Sequence, residues 1–215
     1  MPPVPERIRM SRHLFLASQS PRRRELLRQI GCTFDVLDVD VPEQRERGES
    51  PLDYVSRVAR EKAGAGLVQV AGVPGAVVIG ADTEVVLDGE VFGKPADADD
   101  AATMLRRLSG RRHEVISAVW CVSAGREEHA VNVTTVEFDA LSASDIAGYI
   151  ATGEAFGKAG AYAIQGRAAA FIVRIDGSHS SVMGLPLHET SRLLHGFEAR
   201  PAVRDAAISD SASSP

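Results

Sequence analysis

Short apolar runs along this chain alternate with stretches in which apolar side chains return every three or four positions, and each change of period marks an element. "HLFLA" (13–17) reads as a first strand. It feeds directly into "SPRRRELLRQIG" (20–31), where Leu26, Leu27 and Ile30 return at helical spacing. Ser20 is placed to cap that helix, Pro21 fits its first position and Gly31 its stop. "TFDVLDV" (33–39) alternates as a second strand. "SPLDYVSRVAREKAGAGLV" puts Leu52, Val55, Val58, Ala59 and Ala63 on one helical face. "GAVVIGAD" reads as a short apolar strand ending in an aspartate, and "TEVVLDGEVFGKP" as a hairpin turning at Asp88-Gly89. "ADADDAATMLRRLSG" is a capped helix with acids at its start and Gly110 at its stop. "HEVISAVWCVSAGREEHAVNVTTVEF" gives two long strands around a polar turn. A helix near Ser144–Thr152, the glycine-rich "GEAFGKAGAYAIQG", a strand over Ala169–Ile175 and a helix over Leu187–His195 follow. This order predicts an α/β fold with a mixed sheet, because several strands follow one another as hairpins.

Composition narrows the possible chemistry. The 215 residues fit one large domain or two close lobes. A net charge of −5 argues against a general nucleic-acid binder, so any anion site must be a local basic pocket. Cys32 and Cys121 show no metal or redox spacing and sit among apolar neighbours, as reduced, buried thiols would. No apolar run reaches the length of a membrane span, and the N-terminal stretch lacks the apolar region of a signal peptide. A cytoplasmic protein without membrane attachment is expected, with flexible segments at 1–12 and 200–215.

Three arginines in the first turn of a helix need a reason. The macrodipole opposes Arg22, Arg23 and Arg24 there by roughly 0.3–1 kcal/mol each. One reading is three tolerated surface cations; the other is an anion held by free N–H groups and guanidinium forks. Asp82 closes a strongly apolar strand, where a carboxylate binds a divalent metal or accepts a proton from water; the plain alternative is a turn aspartate. Lys94, in "VFGKP", can touch phosphate as a point charge or stand solvated at a turn. Lys62 reads as a snorkelling surface lysine or as a cleft residue, and Glu43 as part of a solvated loop or of a metal site. Gln165, in "YAIQG", offers one donor edge and one acceptor edge, which suit uracil or thymine and, flipped, cytosine. No zincin, GxSxG, P-loop or dinucleotide motif is present.

Taken in order and spacing, "LASQSPRRRELLRQIG", "GADT", "GKP", "LSGRRHEV", "GKAGAYAIQG" and "SSVMGLPLHET" resemble the Maf-like nucleotide pyrophosphatases from about Leu14 to Leu194. The resemblance implies one domain over 13–199: a mixed, strongly curved sheet with flanking helices and two lobes around a central cleft, similar to the inosine triphosphatase group. It implies hydrolysis of nucleoside triphosphates to the monophosphate and pyrophosphate, in the subgroup acting on dTTP and UTP, with modified pyrimidine nucleotides also in reach. It further implies a Mg²⁺ or Mn²⁺ cofactor held by Asp82 and Glu43, with Asp82 as proton acceptor. Ser18, Arg22, Arg23, Lys62, Thr83, Lys94 and Gln165 fall on its substrate-binding positions. A homodimer is implied by the resemblance alone. Glu84 departs from the family pattern, which has an apolar residue there; it is a like charge that would perturb Asp82 if both face the cleft. The alternative function, also carried by the family, is a nucleotide-sensing regulator of septum formation.

Overall fold

The computed structural model describes residues 13–199; the expected flexible segments 1–12 and 200–215 lie outside the described residues. Strand β1 (Leu14–Ala17) is fully buried and runs into helix α1 (Pro21–Gln29) through a three-residue link. Ser20 caps α1 by accepting from the Arg23 amide, and Gly31 ends it at φ 81°. The second strand, β2 (Asp35–Leu37), is only three residues long, shorter than alternation predicted. It is an edge strand pairing with β1 alone, and pairing stops where Asp38, Asp40 and Pro42 follow.

Helix α2 (Pro51–Gln69) starts from the Ser50 cap, and Val55, Val58, Ala59 and Ala63 are buried as the periodicity predicts. Leu52 is an exception and remains exposed. Strand β3 (Val77–Leu87) does not stop at Asp82, as the sequence suggested, but runs eleven residues. The polar Asp-Thr-Glu segment continues the strand because β5 (Arg112–Ser123) pairs with it without interruption from Val78 to Val86. The hairpin to β4 (Glu90–Phe92) turns as expected, with Asp88 and Gly89 both at positive φ. Helix α3 (Ala98–Leu108) has its acids in the first turn and Arg106 and Arg107 in the last, matching the macrodipole.

Strand β6 (Arg126–Phe138) pairs antiparallel with β5 along twelve positions, and helix α4 (Ala143–Ile150) follows a Ser142–Asp145 capping box. The predicted strand over Ala169–Ile175 is split. Arg167–Phe171 winds as a 3-10 turn that buries Ala168, and β7 (Ile172–Asp176) begins only afterwards. The short helix α5 (His179–Met183) has no periodic signal and was not expected; α6 (Leu187–Ala199) extends past its predicted end.

The sheet order is β2-β1-β3-β5-β6-β7, with β1 parallel to its neighbours and the other pairings antiparallel. This is the mixed sheet with flanking helices that the pattern implied. The long strand β3 passes through two packed halves. Its first half packs with β1, α1 and α6 on one face and with α2 on the other. Its second half joins Val115, Phe138, Leu105, Leu108 and Tyr149 in a separate core. Among the described residues no helix is long and apolar enough to cross a membrane.

Candidate active site

The sheet itself opens the cleft. On one edge β3 pairs with β1 at Val77–Ile79 and with β4 at Val85–Leu87, while β5 occupies the other edge. Between those two pairings, Gly80–Glu84 have no strand on the β1 side. A cleft of about 330 Å³ lies over this gap and is lined by Asp82, Thr83 and Glu84 together with Ser18, Arg22 and Arg23 from the β1–α1 link. Asp82 is thus placed beyond the carboxyl end of β1, not of its own strand. This corrects the sequence reading, yet it keeps the general siting of ligands at the point where strand pairing changes.

Alternation sends Gly80, Asp82 and Glu84 to the α2 face of β3. A β-carbon on Gly80 would fall on the Ala59 carbonyl and within 2.5 Å of the Ala63 amide nitrogen, so only glycine lets α2 lie this close. The close approach brings Lys62, three residues beyond Ala59, onto Asp82 at 2.8 Å. Lys62 is 8% exposed, so the snorkelling reading fails; its ammonium also meets Glu43 at 2.6 Å. Lys94 holds the other Glu43 oxygen at 2.9 Å. Burial opposes ionisation of Glu43, but the two lysines outweigh it and hold its pKa down at about 2. The like-charge effect expected from Glu84 falls on Glu84 itself: burial first, then the charges of Asp82 and Glu43, push its pKa up to about 8. Its Oε2 is buried without a hydrogen-bond partner.

The arginines of α1 are held from the side. Arg22 Nε donates to the Met183 carbonyl at 3.2 Å, and Arg23 Nε to the Gly184 carbonyl at 2.8 Å. These carbonyls, at the end of α5, offset part of the unfavourable dipole before any ligand is considered. Arg23 Nη1 also donates to Ser18 Oγ at 3.2 Å. Each guanidinium carries five N–H donors, so both keep donors for the cleft they line. Arg24 turns away and donates to the Gln19 carbonyl at 3.4 Å. Thr83 lies on the opposite face from Asp82, where Ser117 Oγ donates to the Ser181 carbonyl at 2.7 Å. Ser117 must therefore accept from Thr83, 2.7 Å away, leaving the threonine oxygen as an acceptor.

Gln165 is exposed at the far rim, and the segment around it is pinned at three points, two before it and one after. His113 Nε2 lies 2.9 Å from the Tyr162 hydroxyl, the Ala163 amide donates to the Tyr149 hydroxyl at 3.0 Å, and the Arg167 amide donates to Glu154 at 2.8 Å. Burial lowers the His113 pKa to about 4 and raises that of Tyr162. All of the expected site residues line the one cleft. Sequence reasoning missed Lys158, which lines it beside Arg22 and whose pKa is lowered by burial and then by that arginine. It also missed the α5–Gly184 turn that anchors both arginines. The quoted "GKAGAY" and "SSVMGLP" contained these residues, but no periodicity distinguished them.

Among the described residues, no three His, Cys, Asp or Glu side chains group so as to hold a metal alone. Carboxylates are suitable hard donors for Mg²⁺ or Mn²⁺, and a site completed by phosphate oxygens needs only one or two of them.

Comparison with known proteins gives consistent matches. A family profile described as "Maf-like protein" matches residues 13–197. The chain is 57% identical over 188 residues to a protein of Xanthomonas euvesicatoria named dTTP/UTP pyrophosphatase, covering 86% of this chain and 99% of that one. A Ralstonia nicotianae protein of the same name is 55% identical over 191 residues, covering 85% and 92%. A Xylella fastidiosa protein named nucleoside triphosphate pyrophosphatase is 54% identical over 186 residues, covering 86% and 98%.

Proposed function

The chain belongs to the Maf-like family, and from that premise we propose that it hydrolyses nucleoside triphosphates, dTTP and UTP foremost, to the monophosphate and pyrophosphate. The names of its relatives support the substrate class. The observation that carries the reading is the convergence of four cations, Arg22, Arg23, Lys62 and Lys94, with Asp82 in a cleft whose rim presents Gln165. A triphosphate brings three to four negative charges. An acidic protein that gathers its cations around one cavity is built to take such an anion.

In this reading, Arg22 and Arg23 grip phosphate oxygens with donors already oriented by the Met183 and Gly184 carbonyls, so less freedom is lost on binding. Lys94 neutralises the outer phosphates. Lys62 fixes the Asp82 carboxylate through Oδ1, and Asp82 orients and deprotonates the water that attacks the α-phosphorus. Pyrophosphate then leaves in line. Asp82, with Glu43 as the second carboxylate implied by the resemblance, would hold a divalent cation together with phosphate oxygens. When bound, Mg²⁺ or Mn²⁺ supplies charge neutralisation at the phosphoryl groups. The Gln165 amide reads the donor and acceptor edge of uracil or thymine.

The deciding experiment is pyrophosphate release from canonical and modified nucleoside triphosphates, with Mg²⁺ or Mn²⁺, by wild type and Asp82→Asn. Release from dTTP and UTP, reduced at least 100-fold in the mutant, is expected from loss of a general base. Full turnover by a folded Asp82→Asn protein removes Asp82 from that role. Nucleotide binding without release from any substrate overturns the enzyme reading and favours a nucleotide sensor.

A further inference from the structure

We infer that Glu84 is a direct ligand, beside Asp82, of the divalent cation, and that it lets the free protein hold the ion before nucleotide arrives. The inference rests on the metal-dependent reading above and adds a residue that the reading leaves without a role. Glu84 is 8% exposed, lines the cleft, and its Oε2 is buried with no hydrogen-bond partner. An unpartnered carboxylate oxygen in a closed position costs free energy unless a ligand completes it.

Geometry favours a cation as that ligand. Asp82 and Glu84 alternate on one strand face, so their α-carbons lie about 6.6 Å apart. A short and a longer carboxylate at that spacing can converge on one ion with Mg–O distances of about 2.1 Å. Glu43 is less free for the task, because Lys62 and Lys94 already engage both of its oxygens, at 2.6 and 2.9 Å. It orders the two lysines and would join the ion only by giving one of them up, so Glu84 supplements it as a ligand of the ion. Asp82 gives Oδ1 to Lys62, which leaves its Oδ2 and the Glu84 carboxyl as the oxygens that line the cavity, and a cation bound there displaces any proton Glu84 carries. Two carboxylates plus water suffice for a resident Mg²⁺ or Mn²⁺, and phosphate oxygens replace water when substrate enters.

The test titrates Mn²⁺ into wild type, Glu84→Gln and Glu84→Val, reading free Mn²⁺ by electron paramagnetic resonance. Each titration is run without nucleotide and with a non-hydrolysable dTTP analogue, and folding is checked by thermal melting. Wild type is expected to bind one ion per chain without nucleotide, with affinity at least tenfold weaker in both variants. The valine form keeps the measurement decisive if the glutamine form does not fold. Equal affinity in wild type and a folded variant overturns the inference and leaves the pyrophosphatase reading intact. So does an ion that binds only with the analogue, equally in all three proteins. Turnover that survives metal chelation, with no Mn²⁺ bound under either condition, instead removes the metal-dependent reading and this inference with it.

Discussion

At the scale of single residues, the most informative groups are those whose chemistry is set by burial. Lys62 looked like one more polar position on an amphipathic helix, and nothing local in "VAREKAG" distinguishes it. It is buried because its partners, Asp82 and Glu43, come from distant segments. His113 is a second case, buried at 2% exposure with its Nε2 against Tyr162 and its Nδ1 without a partner. Burial lowers its pKa to about 4 from 6.5, so the unfolded chain takes up a proton that the folded one resists. The stability contribution is therefore whole above about pH 6.5 and is lost as pH falls toward 4. The wild-type advantage over His113→Phe should shrink by about 3 kcal/mol between pH 7 and pH 4 in urea melts, at about 1.4 kcal/mol per pH unit. Parallel stability curves would show that the folded protein accommodates the charged imidazole. Because Tyr162 precedes Gln165 by three residues, His113 also braces the segment that presents the Gln165 amide to the cleft.

At the scale of elements, Gly80 decides how close α2 comes to β3, and so whether Lys62 reaches Asp82. Gly80→Ala should destabilise the fold by about 1–3 kcal/mol, since the new methyl meets backbone atoms of α2 that have no free rotation to yield. Turnover should fall with it, because the helix carrying Lys62 must shift away from the strand carrying Asp82. Gly64→Ala, on the same helix with open space around it, is the matched control and should stabilise by about 0.5–1 kcal/mol. Equal effects at the two glycines in denaturant melts would remove close approach as the reason for Gly80. Element identity was largely legible in the sequence: α1, α2, α3 and the β3–β4 and β5–β6 hairpins carry clear periods, caps and turns. The failures share a cause. β3 continues through Asp-Thr-Glu because of pairing with β5, a long-range contact without local signature, and α5 is a five-residue helix anchored by Arg22 and Arg23 from α1. The site residues were legible as a set because their motifs lie in a recognisable order, whereas the gap in the β1-side pairing of β3 that gathers them was not.

At the scale of the whole molecule, the cleft concentrates positive charge in a chain of net charge −5 and lies between two separately packed halves. Arg22 and Arg23 stand on the β1–α1 side, while Gln165, Lys158 and Tyr162 stand on the other, so a ligand that spans the cleft would touch both halves. A ligand that binds only the folded state stabilises it by about 2.7 kcal/mol at a hundredfold excess over its Kd. A non-hydrolysable dTTP analogue should therefore raise the melting temperature by several degrees, with dTMP at the same concentration giving much less because most of the recognised charge is on the outer phosphates. Raising salt from about 0.05 to 0.5 M shrinks the Debye length from about 14 to about 4 Å, and so should weaken the capture of the approaching anion. The analogue's shift should then fall while the melting temperature of the free protein changes less. Equal shifts from dTMP and the triphosphate analogue, insensitive to salt, would mean that the base rather than the phosphate cluster supplies the affinity. The arginine-led start of α1 would then need an explanation other than the phosphates, beyond the α5 carbonyls that already hold it.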